Sequence, residues 1–156
     1  MPDINGSQKH IMPEKPAAGG GECGWGHFSL TDGGAEIEPL AFSYIGNGPA
    51  ELFGSALLCL AGKSEFCVTF DTEGSFFRLA AESPDSLIEV LRGGECGIIS
   101  DTDMVSFAVN CAECVLAAPG IWDTEDWNPA DGSITALAAD VISAAERYAA
   151  DRKGRH

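Results

Sequence analysis

"SEFCVTFDTEGSFFRLAAES", Ser64 to Ser83, is the stretch on which the fold turns. Phe66, Val68 and Phe70 alternate with Cys67 and Thr69. That is the period of a strand with one buried face. Asp71-Thr72-Glu73-Gly74 supplies turn residues, and "SFFRLA" returns as the partner strand. A hairpin at the centre of the chain is therefore the anchor for reading outward in both directions.

On the N-terminal side, "NGPAELFGSALLCLAGK" reads as a helix. Pro49 suits the first helical position and Gly62 the stop. Leu52, Phe53, Ala56, Leu57 and Leu60 share one face at helical spacing. Gly54 interrupts the pattern and suggests a second backbone packed close by. Before it, His27 to Leu30 predicts a short strand and "TDGGAE" a turn. "IEPLAFSYIG" predicts a half-buried strand through Leu40, Phe42 and Tyr44, with Pro39 at an edge or bulge. Residues 1–24 carry Pro2, Pro13, Pro16 and a glycine run, and are expected to form a flexible tail.

On the C-terminal side, "SPDSLIEVLRGG" carries a Ser83 cap and Pro84 in the first turn, and predicts a helix. "ECGIISDTDMVSFAVN" predicts a second hairpin: Gly97 to Ser100, a "SDTD" turn, then Met104 to Asn110. "APGIWDTEDWNPADG" is loop-like. "SITALAADVISAAERYAADR" is the strongest helix, with Ile134, Leu137, Val141, Ala144 and Tyr148 in a stripe. The expected order is β-β-α-β-β-α-β-β-α. It places the chain among α+β folds, one domain over residues 25–156, with an antiparallel or mixed sheet and helices packed mainly on one face.

Charge is the strongest compositional feature. The chain has 156 residues, 24 acids and 9 bases, a net charge of −15. From Cys23 to Leu116 only Lys63, Arg78 and Arg92 offset 14 acids. Four other bases, Arg147, Arg152, Lys153 and Arg155, lie in the last ten residues. Such a surface repels phosphate backbones and anionic membranes, so neither nucleic acid nor membrane is an expected partner. A basic protein is. No apolar run approaches the ~20 residues of a membrane span. No basic segment followed by an apolar one opens the chain, so a cytoplasmic location is expected, with its six cysteines mainly reduced.

The catalytic inventory is short. Cys111-Ala-Glu-Cys114 has the spacing of a metal or redox pair. Zinc needs two further ligands, and Cys23 with His27 is the nearest supply, in a spacing that fits no common zinc ribbon. If "MVSFAV" is a strand that runs into this motif, thiols three positions apart face opposite ways, about 10 Å apart along the chain. If the segment is a helix, they share a face in its interior. His27 is the one histidine in an expected element, and a hydrolase would have to be built on it. Asp101 and Asp103 read as turn formers before they read as a catalytic pair. No phosphate loop, dinucleotide fingerprint or nucleophile elbow is present, and no cofactor is expected.

The segment with most promise for recognition is "WDTEDWNPADG". Trp122 and Trp127 bracket Asp123, Glu125 and Asp126, an anchor-and-charge pattern suited to a basic protein. Two readings follow from the residues. The first is a small, acidic, non-enzymatic binding protein of inhibitor- or immunity-like character. The alternative is a metal-binding or thiol-redox protein that uses Cys111 and Cys114.

Overall fold

A computed structural model describes residues 11–13, 25–28, 30–33, 35–37, 41–43, 48–71, 74–92, 97–117 and 133–154. Five short strands open the chain: β1 (Ile11–Pro13), β2 (Trp25–Phe28), β3 (Thr31–Asp32), β4 (Ala35–Glu36) and β5 (Ala41–Ser43). Helix α1 (Gly48–Leu60) follows, then four strands of equal length, β6 (Phe66–Asp71), β7 (Phe76–Ala81), β8 (Leu87–Arg92) and β9 (Ile98–Asp103). Helices α2 (Met104–Ala117) and α3 (Ile134–Gly154) complete the order. The class is α+β. Ile11–Pro13, within the stretch expected to be a tail, pairs with β2 as an edge strand. Proline is tolerated there because an edge amide need not join the ladder.

The main sheet is an antiparallel meander in the order β6-β7-β8-β9. The expected β6–β7 hairpin is present in register, Phe66 opposite Ala81 and Phe70 opposite Phe77. The rings of that last pair stack at 5.1 Å between centroids. Such a pair contributes about 0.5–1.5 kcal/mol beyond its buried area.

Two expectations are corrected beyond it. Residues 87–92 form strand β8, not a helix. Ser83 and Pro84 act at the head of a tight turn, closed by the Ser86 amide donating to the Ser83 carbonyl at 3.1 Å. Proline after serine suits both a helix start and the second position of such a turn. What decides is the following run, where Ile88 and Val90 are buried and Leu87 is exposed, a period of two. Residues 104–117 form helix α2, not the second strand of a hairpin. Met104, Phe107, Ala108, Cys111, Ala112 and Val115 are its buried face, a helical spacing throughout. Asp103 caps it: its Oδ2 accepts the Ser106 amide at 3.1 Å.

One core gathers residues from all three helices and from the inward face of the sheet. Phe53, Phe66, Phe70, Phe77 and Phe107 are its largest fully buried side chains. Helix α1 ends in a Schellman arrangement. The Gly62 amide donates to the Cys59 carbonyl and the Lys63 amide to that of Leu58, at 3.0 and 2.9 Å. Gly62 takes φ +74° there, the left-handed conformation glycine adopts without strain. No helix among the described residues is long and apolar enough to cross a membrane.

The two glycines of α1 behave oppositely. A Cβ on Gly48 would meet the Phe70 ring, whereas one on Gly54 would meet nothing within 4 Å. Gly54 therefore marks no close backbone approach. Gly48→Ala is expected to destabilise by about 1–3 kcal/mol through overpacking. Gly54→Ala is expected to stabilise by about 0.5–1 kcal/mol through helix propensity. Urea unfolding of both variants checks the opposite signs.

Candidate functional site

The cysteine pair lies inside α2. Cys111 is fully buried and Cys114 half-buried against the core. Neither is in a disulfide. Burial pushes the Cys111 thiol well above its ordinary value near 9, and Cys114 adds to the shift. The thiolate is the form that attacks a disulfide or binds a metal, so this environment opposes both roles. Among the described residues no group of three or more His, Cys, Asp or Glu could hold a metal ion. Cys23 and Cys96 lie outside the described residues. Cys111 acts as a small core residue, and Cys67, exposed on β6, is its opposite. Cys111→Ser is expected to cost about 1–3 kcal/mol by burying a hydroxyl, and Cys67→Ser less than about 0.5 kcal/mol. In native protein, Cys67→Ser is expected to remove a fast-reacting thiol while Cys111→Ser removes none. A thiol-reagent time course checks this.

The other sequence candidates separate. His27 sits in β2, opposite Met12 and Ala41. Asp101 accepts the Gly33 amide at 3.0 Å, and Asp103 caps α2. Both acids serve the backbone. Trp122, Asp123, Glu125, Asp126 and Trp127 lie outside the described residues.

Sequence reasoning missed the outward face of the main sheet, because two of its four strands take their places only once β8 is read as a strand. Cys67, Ala80, Glu89 and Ile99 form one row across all four strands. Thr69, Arg78 and Leu91 form the next. Phe76, Leu87 and Ile99 are 44%, 47% and 50% exposed, high for large apolar side chains that share one surface. A shallow groove of about 570 Å³ runs over Cys67, Ala80, Leu87 and Ile99. Glu65, Glu82 and Glu89 line it, and among the described residues no base does. A Cβ on Gly97 would collide with the Glu89 carboxylate, so glycine there lets that side chain lie against the neighbouring strand. Arg78, the cation of this face, donates from Nε to the Thr69 hydroxyl at 3.2 Å.

The edges of the sheet are engaged. The Ser55 hydroxyl of α1 accepts the Cys67 amide of β6 at 3.0 Å. At the other side, β3 lies along β9 through the Gly33–Asp101 bond. Strand addition at an edge needs a run of open amides and carbonyls.

A second polar constellation lies at the end of the sheet. Asp85, in the β7–β8 turn, accepts the Tyr148 hydroxyl at 2.7 Å and the Arg152 guanidinium at 2.8 Å. The hydrogen bond to Asp85 holds the Tyr148 hydroxyl above its ordinary value near 10; partial burial adds to this and Arg152 opposes it. The folded state thus keeps its proton more tightly than the unfolded chain. The resulting stability is fully present below pH 10 and is lost as pH rises through the folded value. In Tyr44→Phe protein, where Tyr148 is the sole tyrosine, absorbance titration is expected to show ionisation above pH 10, returning toward 10 in Asp85→Ala. An unmoved titration in Asp85→Ala, which leaves the hydroxyl no acceptor there, would remove the hydrogen bond as the cause. No protein-family model, curated protein or solved structure matches this chain.

Proposed function

We propose that this chain is a non-enzymatic binding module, inhibitor- or immunity-like in character, that meets a basic protein partner through the outward face of its main sheet. The observation that carries the reading is the apolar groove over Ala80, Leu87 and Ile99, walled by carboxylates and lacking a base among the described residues. An apolar centre with a charged rim is the anatomy of a specific protein interface. The net charge of −15 extends the attraction beyond contact distance and speeds association with a cationic partner. The helices, in this reading, pack on the inward face and leave the outward one to the partner. Trp122 and Trp127, with Asp123, Glu125 and Asp126, belong to the same proposal as a second anchor. Cytoplasmic location belongs to it too, since an acidic protein with thiols such as Cys59, Cys67 and Cys111 suits a reducing compartment.

The test begins with capture on immobilised protein at about 0.05 M salt and identification of what binds. A basic protein is expected, with affinity falling at least about tenfold by about 0.5 M salt. Leu87→Asp with Ile99→Asp is expected to abolish that binding while leaving the unfolding free energy within about 1 kcal/mol, about 0.5 kcal/mol for each exposed site. A partner that ignores both salt and the double variant would overturn the reading.

A further inference from the structure

We infer that the cleft between the end of α1, the β7–β8 turn and α3 binds a small amphipathic monoanion, a carboxylate with an apolar body. The cleft has a volume of about 450 Å³. Small-ligand sites span about 300–1,000 Å³. It shares no lining residue with the groove on the sheet, so it stands apart from the protein-binding reading.

Its two sides differ in chemistry. Leu57, Leu60, Pro84 and Ala144 make an apolar wall. Burial pushes the Cys59 thiol up, so this residue lines the cleft as a neutral, apolar group. Arg147, Tyr148, Asp151 and Arg152, all from α3, make the polar lip. Arg147 and Arg152 share this cleft with Asp151, and Asp85 neutralises Arg152, so Arg147 is the guanidinium left to meet a ligand. The described residues hold six bases in all, and two of them line this cleft.

The roles at the lip follow from what is already engaged. Asp85 takes both the Tyr148 hydroxyl and one nitrogen of Arg152, so these two are held in place. Arg152 also lies over the Tyr148 ring, 5.8 Å from its centroid. Arg147 is exposed and makes no ion pair among the described residues. Its planar fork matches a carboxylate through two parallel hydrogen bonds. Asp151 sets the limit, because a carboxylate on the same lip repels a second negative charge. A monocarboxylate fits, and a phosphate dianion is rejected. The apolar wall supplies the other half of the recognition by removing a hydrocarbon body from water.

The test uses the full chain, labelled with ¹⁵N, and hexanoate as the probe. Saturable amide shifts are expected at Leu60, Gly62, Ala144 and Tyr148. Arg147→Gln, an exposed substitution that leaves the fold intact, is expected to weaken hexanoate about tenfold, the worth of one charge-assisted contact. Hexanol, which keeps the body and drops the charge, is expected to bind about tenfold more weakly, by the same reasoning. The inference is overturned if hexanoate gives no saturable shift, if hexylammonium binds as tightly, or if Arg147→Gln binds hexanoate as the parent does. Each of these leaves the sheet-face reading standing, because that reading is scored on Leu87 and Ile99.

Discussion

The turn Ser83–Ser86 holds the molecule together. Its Ser86 carbonyl accepts the Met104 amide at 2.9 Å, and its Pro84 carbonyl accepts the Val105 amide at 3.0 Å. Those are the first two amides of α2, which no intrahelical carbonyl can reach. A loop between two strands thus completes the cap of a helix that Asp103 begins. Its Asp85 then reaches the other way, to Tyr148 and Arg152 of α3. Sheet, α2 and α3 meet at four consecutive residues. The backbone bonds carry more weight than the ion pair. Orphaned amides at a packed helix start are costly, whereas both partners of the Asp85–Arg152 bridge are about half exposed.

That junction also explains what was legible in the sequence. The β6–β7 hairpin, α1 and α3 announce themselves, because the first two have the right period and their own punctuation, Gly74 for the hairpin and Pro49 with Gly62 for α1, and α3 carries a long helical stripe. The segment 83–117 does not. Ser83-Pro84 is valid chemistry for a helix start and for a turn, and only the alternation of Ile88 and Val90 separates them. "SDTDMVSFAV" carries an alternation of its own, Val105, Phe107 and Val109 against Ser106 and Ala108, which mimics a strand. The helical set that includes Phe107, Cys111 and Val115 emerges over a longer window, and Asp103 is its cap. The amides of Met104 and Val105 find carbonyls about 20 residues earlier, a solution no local pattern can reveal.

The sites follow the same division. The two thiols could be judged once the segment was known to be a helix, since the sequence already tied their orientation to that choice. The sheet face could not be foreseen, because it is assembled from Cys67, Ala80, Glu89 and Ile99 on four separate strands. Charge is partitioned in parallel. Carboxylates line the groove on the sheet, while the cleft at the far end of α3 sets Arg147 and Arg152 beside Asp151 and Asp85. The net value of −15 conceals two surfaces of different character.

The bond from Cys67 to Ser55 has a further consequence for the chain as a material. A meander of four antiparallel strands with apolar side chains on its outer face is the sort of object that stacks into fibres. Growth of that kind starts where a border strand offers its amides to a neighbour. On β6 one of those amides, that of Cys67 near the start of the strand, is already satisfied by a hydroxyl from the chain's own helix. An incoming strand would have to break that bond before it could zip along the rest. One serine thereby sets a cost on strand addition at the start of that border while the apolar face stays open.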